Sequence, residues 1–282
     1  MLIINGRVYS PGTPETTLLN RAFFFGDGLF EILRVFQGKI LFLDQTLHRL
    51  MKGMQVLKFD FDPEVFHNLI HENLQKSLQV NSISGHGKLK IQVYREGQGG
   101  YAPISNAPSF LIEGYSFKED LFHSPHTISL ASYREIQLEN NPLAAYSHLN
   151  SLPYVLASIY AKEQGCDEGL MYHGEWVGST TFGNLFYVYQ QKLFTPPLTM
   201  GIQQGVVRDQ IISLAEKLKV SCEQKRFKKK SLNQADEIFV THPIRGIVPV
   251  HRIDNLTLNP QQFAMTSFFR NCLRQYIQEF FQ

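Results

Sequence analysis

Two histidines in this sequence stand at a spacing that suggests metal binding. His67 and His71 are four residues apart, so on a helix they would share one face. No third ligand is apparent, and the sequence has no HExxH string. We therefore predict exposed or hydrogen-bonded helix histidines and no metal site.

A run of cations, Lys225 to Lys230 (KRFKKK), contains one aromatic residue and resembles the composition of nucleic-acid contacts. The whole chain is nearly neutral, with 27 Lys and Arg against 25 Asp and Glu and a formal charge of +2. A field that weak does not indicate a nucleic-acid or membrane partner. We interpret the run as a solvated loop and predict neither partner.

A third feature of the sequence indicates anion binding. Gly205, Val206 and Val207 open a predicted helix, and the first backbone N–H groups of a helix attract negative charge. A glycine at this position also simply ends a loop, and the sequence leaves both interpretations open.

Length and composition limit the class of protein to which these residues belong. The 282 residues suffice for one large or two ordinary domains, and 43% apolar with 18% charged residues is typical of a globular chain. Three cysteines without CxxC spacing indicate reduced thiols and a cytoplasmic location. No apolar run is long enough for a membrane helix, and the first ten residues do not resemble a signal peptide.

The periodicity predicts two mixed α/β domains, residues 1–118 and 119–282, because it fails around Ser116–Pro125. The first should hold an Asn5-Gly6 hairpin and two helices. Its predicted strands are 2–4, 8–9, 29–35, 40–43, 88–94 and 109–115, and its helices are 47–57 and 63–78, the latter capped by Asp62. The second has predicted strands at 127–133, 168–172 and 185–188, a strand pair flanking Ala235–Thr241, and helices at 149–164, 206–218 and 260–280.

Ordered strings over nearly the whole chain resemble class IV aminotransferases, the fold-type IV enzymes that use pyridoxal phosphate (PLP). This family includes branched-chain and D-amino-acid aminotransferases and aminodeoxychorismate lyase. The strings are FFFGDGLFEILRVFQGKILFLDQTLHRL (23–50), KLKIQVYREGQGGYAP (88–103), SHLNSLPYVLA (147–157), GNLFYV (183–188), GIQQGVVRDQII (201–212) and ADEIFVTHPIRGIVPV (235–250). The string at 88–103 looks most like the lyase.

The resemblance implies a smaller N-terminal α/β domain and a larger C-terminal domain with a barrel-like sheet, with PLP in the cleft between them. It also implies a homodimer, because a partner loop usually completes active sites in this family. PLP chemistry needs an amine that forms a Schiff base and usually a carboxylate at the ring nitrogen.

Two residues depart from the family pattern at those central positions. The family lysine of the K-x-L-N string corresponds to Ser147, and the family glutamate five residues before Asn184 corresponds to Ser179. A serine hydroxyl cannot form a Schiff base, and a neutral serine cannot hold the ring nitrogen protonated.

The anion site is better matched. The resemblance assigns phosphate binding to Arg49 and to the helix start at Gly205, Val206 and Val207, with Thr241 and Asn184 as further cofactor-binding residues. It assigns substrate binding to two residues of the glycine-rich string, Arg95 and Tyr101, although Gly99 replaces that string's second arginine.

Three functions follow as hypotheses. The first is a catalytically degenerate homologue that binds a small phosphorylated or carboxylated ligand, with PLP held non-covalently, absent or replaced by phosphate. The second is an active PLP-dependent lyase or transaminase that uses another lysine, such as Lys90 or Lys162. The third is an interaction module without a cofactor.

Overall fold

The computed structural model of the chain describes residues 1–10, 20–97, 99–118, 120 and 126–279. The chain divides into two compact units. The N-terminal unit comprises Met1–Asp120 and Tyr146–Asn150, and the C-terminal unit comprises Leu121–Ala145 and Ser151–Gln282. The predicted boundary at residues 118 and 119 stays a prediction, because most of 116–125 lies outside the described residues. Phe280 and Phe281, in the predicted last helix, lie outside them as well.

In its described residues the N-terminal unit has an antiparallel six-stranded sheet and three helices. The strand order is β2-β1-β6-β5-β3-β4. The strands are β1 (Leu2–Ile4), β2 (Arg7–Tyr9), β3 (Gly28–Phe36), β4 (Lys39–Ile40), β5 (His86–Arg95) and β6 (Pro108–Phe117), and the helices are α1 (Arg21–Phe25), α2 (Leu43–Val56) and α3 (Pro63–Val80).

Side-chain alternation along β5 explains how this unit buries its core. Leu89, Ile91 and Val93 are buried, and the residues between them are only partly so. That apolar face belongs to one cluster with buried residues of α2 and α3, namely Leu47, Leu50, Met54, Ile70, Leu74 and Leu78. At the start of α3 the Asp62 carboxylate accepts from the Val65 N–H at 2.9 Å, so the predicted cap is confirmed.

The C-terminal unit contains nine strands in a mixed sheet. The order is β12-β11-β10-β13-β14-β7-β8-β9, with β15 paired to β14, and the β11–β12, β14–β7 and β7–β8 pairs are parallel. The strands are β7 (Ile128–Ser132), β8 (Glu168–His173), β9 (Trp176–Thr180), β10 (Asn184–Tyr189), β11 (Lys192–Thr195), β12 (Cys222–Gln224), β13 (Glu237–His242), β14 (Gly246–Ile253) and β15 (Leu256–Thr257). The predicted mixed α/β class is thereby confirmed.

Four helices accompany this sheet: α4 (Leu152–Glu163), α5 (Val206–Lys217), α6 (Lys229–Leu232) and α7 (Ala264–Glu279). The predicted starts of two of these helices were wrong, as was that of α2, which begins at Leu43 and not at Leu47. The helix expected from Leu149 begins at Leu152, with Pro153 in its first turn. The last helix begins at Ala264 and not at Pro260, because the Glu237 carboxylate accepts from the backbone N–H of Met265. No helix in the described part of the chain is long and apolar enough to cross a membrane.

Candidate functional site

The SHLN string begins with Ser147, the residue matched to the lysine position of the family. This string lies beside the start of β3. The Ser147 carbonyl accepts from the Phe30 N–H at 2.7 Å, and the Leu149 N–H donates to the Gly28 carbonyl at 3.0 Å. Ser147 is buried, with 5% of its surface exposed. The backbone of this residue is therefore fixed against the sheet of the N-terminal unit.

Asn150, the last residue of the SHLN string, packs closely against the glycine that ends α1. Gly26 has φ of +60°, and a Cβ on it would lie 2.6 Å from the Asn150 Oδ1 atom. The Asn150 side chain also donates to the Gly26 carbonyl at 3.1 Å. Only glycine fits this left-handed position and this close approach.

Arg49, the arginine predicted to bind phosphate, is hydrogen-bonded to a carboxylate. Arg49 donates through Nε to Oε1 of Glu31 at 2.9 Å and through a second nitrogen to Oε2. The Glu31 side chain is only 3% exposed. Burial raises the pKa of Glu31, and the charge and hydrogen bonds of Arg49 oppose that rise. An anion that binds Arg49 has to share its guanidinium with Glu31.

The two residues predicted to bind substrate lie in different surroundings. Arg95 is buried, and its guanidinium donates to the Asp27 carboxylate at 3.1 Å, to the Asn106 side chain and to the Leu57 carbonyl. Tyr101 is 94% exposed. Arg95 thus ties together three segments of the N-terminal unit, and a role for either residue in substrate binding stays a prediction.

Three of the residues predicted to bind cofactor come together in the C-terminal unit. Asn184 and Thr241 are register partners on β10 and β13, and the Thr241 hydroxyl donates to the Asn184 carbonyl at 3.4 Å. A Cβ on Gly205 would lie 2.3 Å from the Asn184 Oδ1 atom, so a side chain at residue 205 would require the Asn184 amide to move. Val206 and Val207 then form the first turn of α5.

Ser179, at the predicted glutamate position, is buried in β9. Sequence reasoning missed an acidic residue near it. Glu168, at the start of β8, is 6% exposed and hydrogen-bonded by the Thr180 side chain and the Phe182 backbone. Burial raises the pKa of Glu168, and these bonds and the charge of Arg245 oppose the rise. The sequence marked Glu168 only as the first residue of a strand, which carries no functional signal.

His242, next to Thr241, was also missed as an ionisable group. Its Nδ1 atom accepts from the backbone N–H groups of Ile244 at 3.0 Å and Arg245 at 3.2 Å, so a neutral ring carries its proton on Nε2. Burial, with a smaller contribution from the charge of Arg245, lowers the pKa of His242 to about 4.

Asparagine at position 242 should make the protein less sensitive to acid. A histidine whose pKa falls from 6.5 to about 4 on folding contributes stability above pH 6.5 that is lost as the pH falls towards 4. Between about pH 7.5 and about pH 4.5 we expect the wild type to lose roughly 2–3 kcal/mol more than His242→Asn, which keeps an acceptor near Nδ1. Urea unfolding at both pH values measures this difference, and parallel pH profiles would refute it.

The histidine pair lies on α3, with ring centroids 6.5 Å apart and His67 Nε2 3.5 Å from the Asp44 carboxylate. Among the residues whose placement is described, no group of three His, Cys, Asp or Glu side chains is arranged to hold a metal ion.

Comparison with known proteins defines the class of fold and then the family. The structure of 4-amino-4-deoxychorismate lyase from Pseudomonas aeruginosa superposes with a TM-score of 0.82 at 27% identity, covering 98% of both chains. A putative branched-chain-amino-acid aminotransferase from Methanocaldococcus jannaschii is 28% identical over 93% of this chain and 90% of that protein. D-alanine aminotransferase from Staphylococcus aureus is 24% identical over 92% and 90%. Residues 28–253 match the family described as Amino-transferase class IV, and the chain belongs to that family.

Members of this family depend on PLP, and the residues present fit one part of that cofactor. Gly205 has no side chain beside Asn184 at the start of α5, where backbone N–H groups of a helix's first turn would suit a phosphate group. The reactive part of PLP needs an amine, and the serine side chains of residues 147 and 179 offer none.

Proposed function

We propose that this chain is a class IV aminotransferase homologue, similar to aminodeoxychorismate lyase, that has lost covalent PLP catalysis and keeps an anion-binding role. The ligand would be a small phosphorylated or carboxylated compound, and PLP itself would bind without a covalent bond. The observation that carries the proposal is the hydroxyl of Ser147 at the family's lysine position, on a backbone fixed by hydrogen bonds to β3. A hydroxyl offers no nitrogen for a Schiff base.

The test is addition of PLP to the pure protein, followed by borohydride reduction and peptide mapping. We expect no visible absorbance band of a Schiff base and no reduced adduct in the 147–157 peptide, because a serine cannot form one. Ser147→Lys provides the comparison, since it places an amine at the same backbone position. Turnover of a family substrate by the wild type, with an adduct mapped to any lysine, would overturn the proposal.

One observation favours the alternative of an active enzyme that uses another lysine. The Lys90 Nζ atom lies 5.6 Å from the centroid of the Phe30 ring, and the Phe30 N–H donates to the Ser147 carbonyl. Lys90 and the backbone of Ser147 thus both lie beside Phe30, within the N-terminal unit. An adduct at Lys90 that disappears, together with turnover, in Lys90→Gln would support this alternative. Absence of any effect of PLP or phosphate on thermal unfolding would favour the interaction module without cofactor.

We also propose that two copies of the chain form a homodimer through α4. Leu152, Val155, Leu156 and Ile159 form an apolar stripe at helical spacing, with exposed fractions from 44% to 72%. A stripe of this kind on a helix is typical of a protein interface. Three cysteines without disulfide bonds support a cytoplasmic location for this dimer.

A further inference from the structure

The basic run is anchored to the sheet of the C-terminal unit by its backbone. The Lys225 N–H donates to the Thr195 carbonyl at 3.0 Å, and the Val177 N–H donates to the Phe227 carbonyl at 2.9 Å. The Phe227 ring is buried, with its edge against the Tyr187 ring at a centroid distance of 4.7 Å. These contacts fix the backbone positions from which the cationic side chains extend.

A cavity of about 520 Å³ lies beside this run. Its walls are aromatic, and they are formed by Trp176, Tyr187, Tyr189, Phe194 and Phe227. Ser231 and Gln234 add polar groups to the lining. The volume lies within the range of small-molecule sites, and aromatic faces are suited to stacking against a planar ring.

Cations surround these aromatic walls. Lys225, Arg226, Lys228 and Lys230 line the cavity. The Nζ atom of Lys225 lies 4.0 Å from the Phe194 centroid, and that of Lys228 lies 5.4 Å from the Trp176 centroid. Both ammonium groups are therefore held over ring faces.

The local charge is not balanced. Lys225 pairs with Glu223 at 3.2 Å, and Lys228 and Lys229 pair with Glu175 and Asp254. Arg226 and Lys230 have no carboxylate partner within the described ranges, which leaves two positive charges uncompensated at the cavity. Like charges so close together repel, and a bound anion would relieve that repulsion.

We propose that this cavity binds a small compound with a planar aromatic ring and a phosphate group, such as a nucleoside monophosphate. The ring stacks against Trp176 and Tyr189, because Tyr187, Phe194 and Phe227 are only 3–5% exposed and offer it no open face. Arg226 and Lys230 hold the phosphate, for which the planar fork of an arginine is suited. The site lies wholly within the C-terminal unit and does not depend on the proposed function. It also does not involve Arg49.

The experiment uses Trp176, the single tryptophan of the chain, as the probe. Adenosine monophosphate should quench its fluorescence saturably, because the ring stacks beside it. Adenosine and inorganic phosphate should each bind more weakly, since each lacks one half of the ligand. Arg226→Ala/Lys230→Ala should weaken binding of the monophosphate by about tenfold or more, because two charge-assisted contacts are lost.

Two controls separate this site from general charge and from the predicted anion site. Arg7→Ala/Lys52→Ala removes one arginine and one lysine from exposed positions and should leave the quenching unchanged. Arg49→Ala, measured under conditions in which it is folded, should also leave the quenching unchanged. Absence of saturable quenching, or quenching that survives Arg226→Ala/Lys230→Ala, would overturn the proposal. Tighter binding of a single-stranded oligonucleotide than of the monophosphate would overturn the assignment to a small ligand.

Discussion

Arg49→Ala is expected to destabilise the protein by about 3–5 kcal/mol, because it leaves a buried carboxylate without its partner. The Arg49 and Glu31 side chains are 14% and 3% exposed, so solvent screens this pair only weakly. Denaturant unfolding at neutral pH measures the loss. A loss below about 1 kcal/mol, the value typical of a surface pair, would show that the pair is hydrated.

The pH dependence of the same variant identifies the cause. Burial raises the pKa of Glu31, so the unfolded chain releases this proton at a lower pH than the folded chain does. Stability from this group is present at low pH and is lost as the pH rises towards the folded pKa. Without Arg49 the pKa rises further, so the deficit of Arg49→Ala should shrink on acidification.

The matched control removes both charges of the pair. Glu31→Gln/Arg49→Met keeps similar side-chain volumes, and we expect it to recover most of the lost stability at neutral pH. Its unfolding should also lack the pH dependence that Glu31 contributes. A double variant as unstable as Arg49→Ala would instead assign the loss to the packing of the arginine stem.

Most strands of the N-terminal unit were predicted because their signals are local, although α1 was missed and the predicted strand at 40–43 runs into α2. The Asn5-Gly6 turn, the alternation along β5 and the Asp62 cap each depend on neighbouring residues, and the structure contains all three. In the C-terminal unit a strand pair was predicted around Ala235–Thr241, where the structure has β13 and β14, but β9, β11, β12 and β15 were not predicted. Most residues of β9 are buried in succession, so their side chains lack the alternation that marks a half-buried strand.

For the candidate site, the sequence could indicate residues but not their partners. The resemblance of its strings to the family was sufficient to suggest Asn184, Gly205 and Thr241, which the C-terminal unit brings together. The partner of Arg49 is Glu31, eighteen residues away. It was not predicted, because its side chain meets Arg49 only through the packing of α2 on β3. Ionic partners depend on tertiary packing, which no spacing rule for a single element contains.

Leu156→Glu/Ile159→Glu is expected to convert the protein from a dimer to a monomer. These side chains form the C-terminal half of the apolar stripe on α4, where two carboxylates would be desolvated without partners in a dimer. Glutamate favours helix, and both positions are exposed in the single chain, so the variant should keep the stability of the isolated fold. Sedimentation velocity should give the wild type a mass twice that of the 32.4 kDa chain and the variant the mass of one chain.

Val65→Glu/Leu69→Glu is the matched control for this prediction, since it places two carboxylates four residues apart on exposed apolar positions of α3. It should remain dimeric, because α3 is outside the stripe. If both variants dissociate, general charge repulsion and not the stripe opposes association. A wild type that sediments as a single chain, or a Leu156→Glu/Ile159→Glu variant that remains dimeric, removes α4 as the interface.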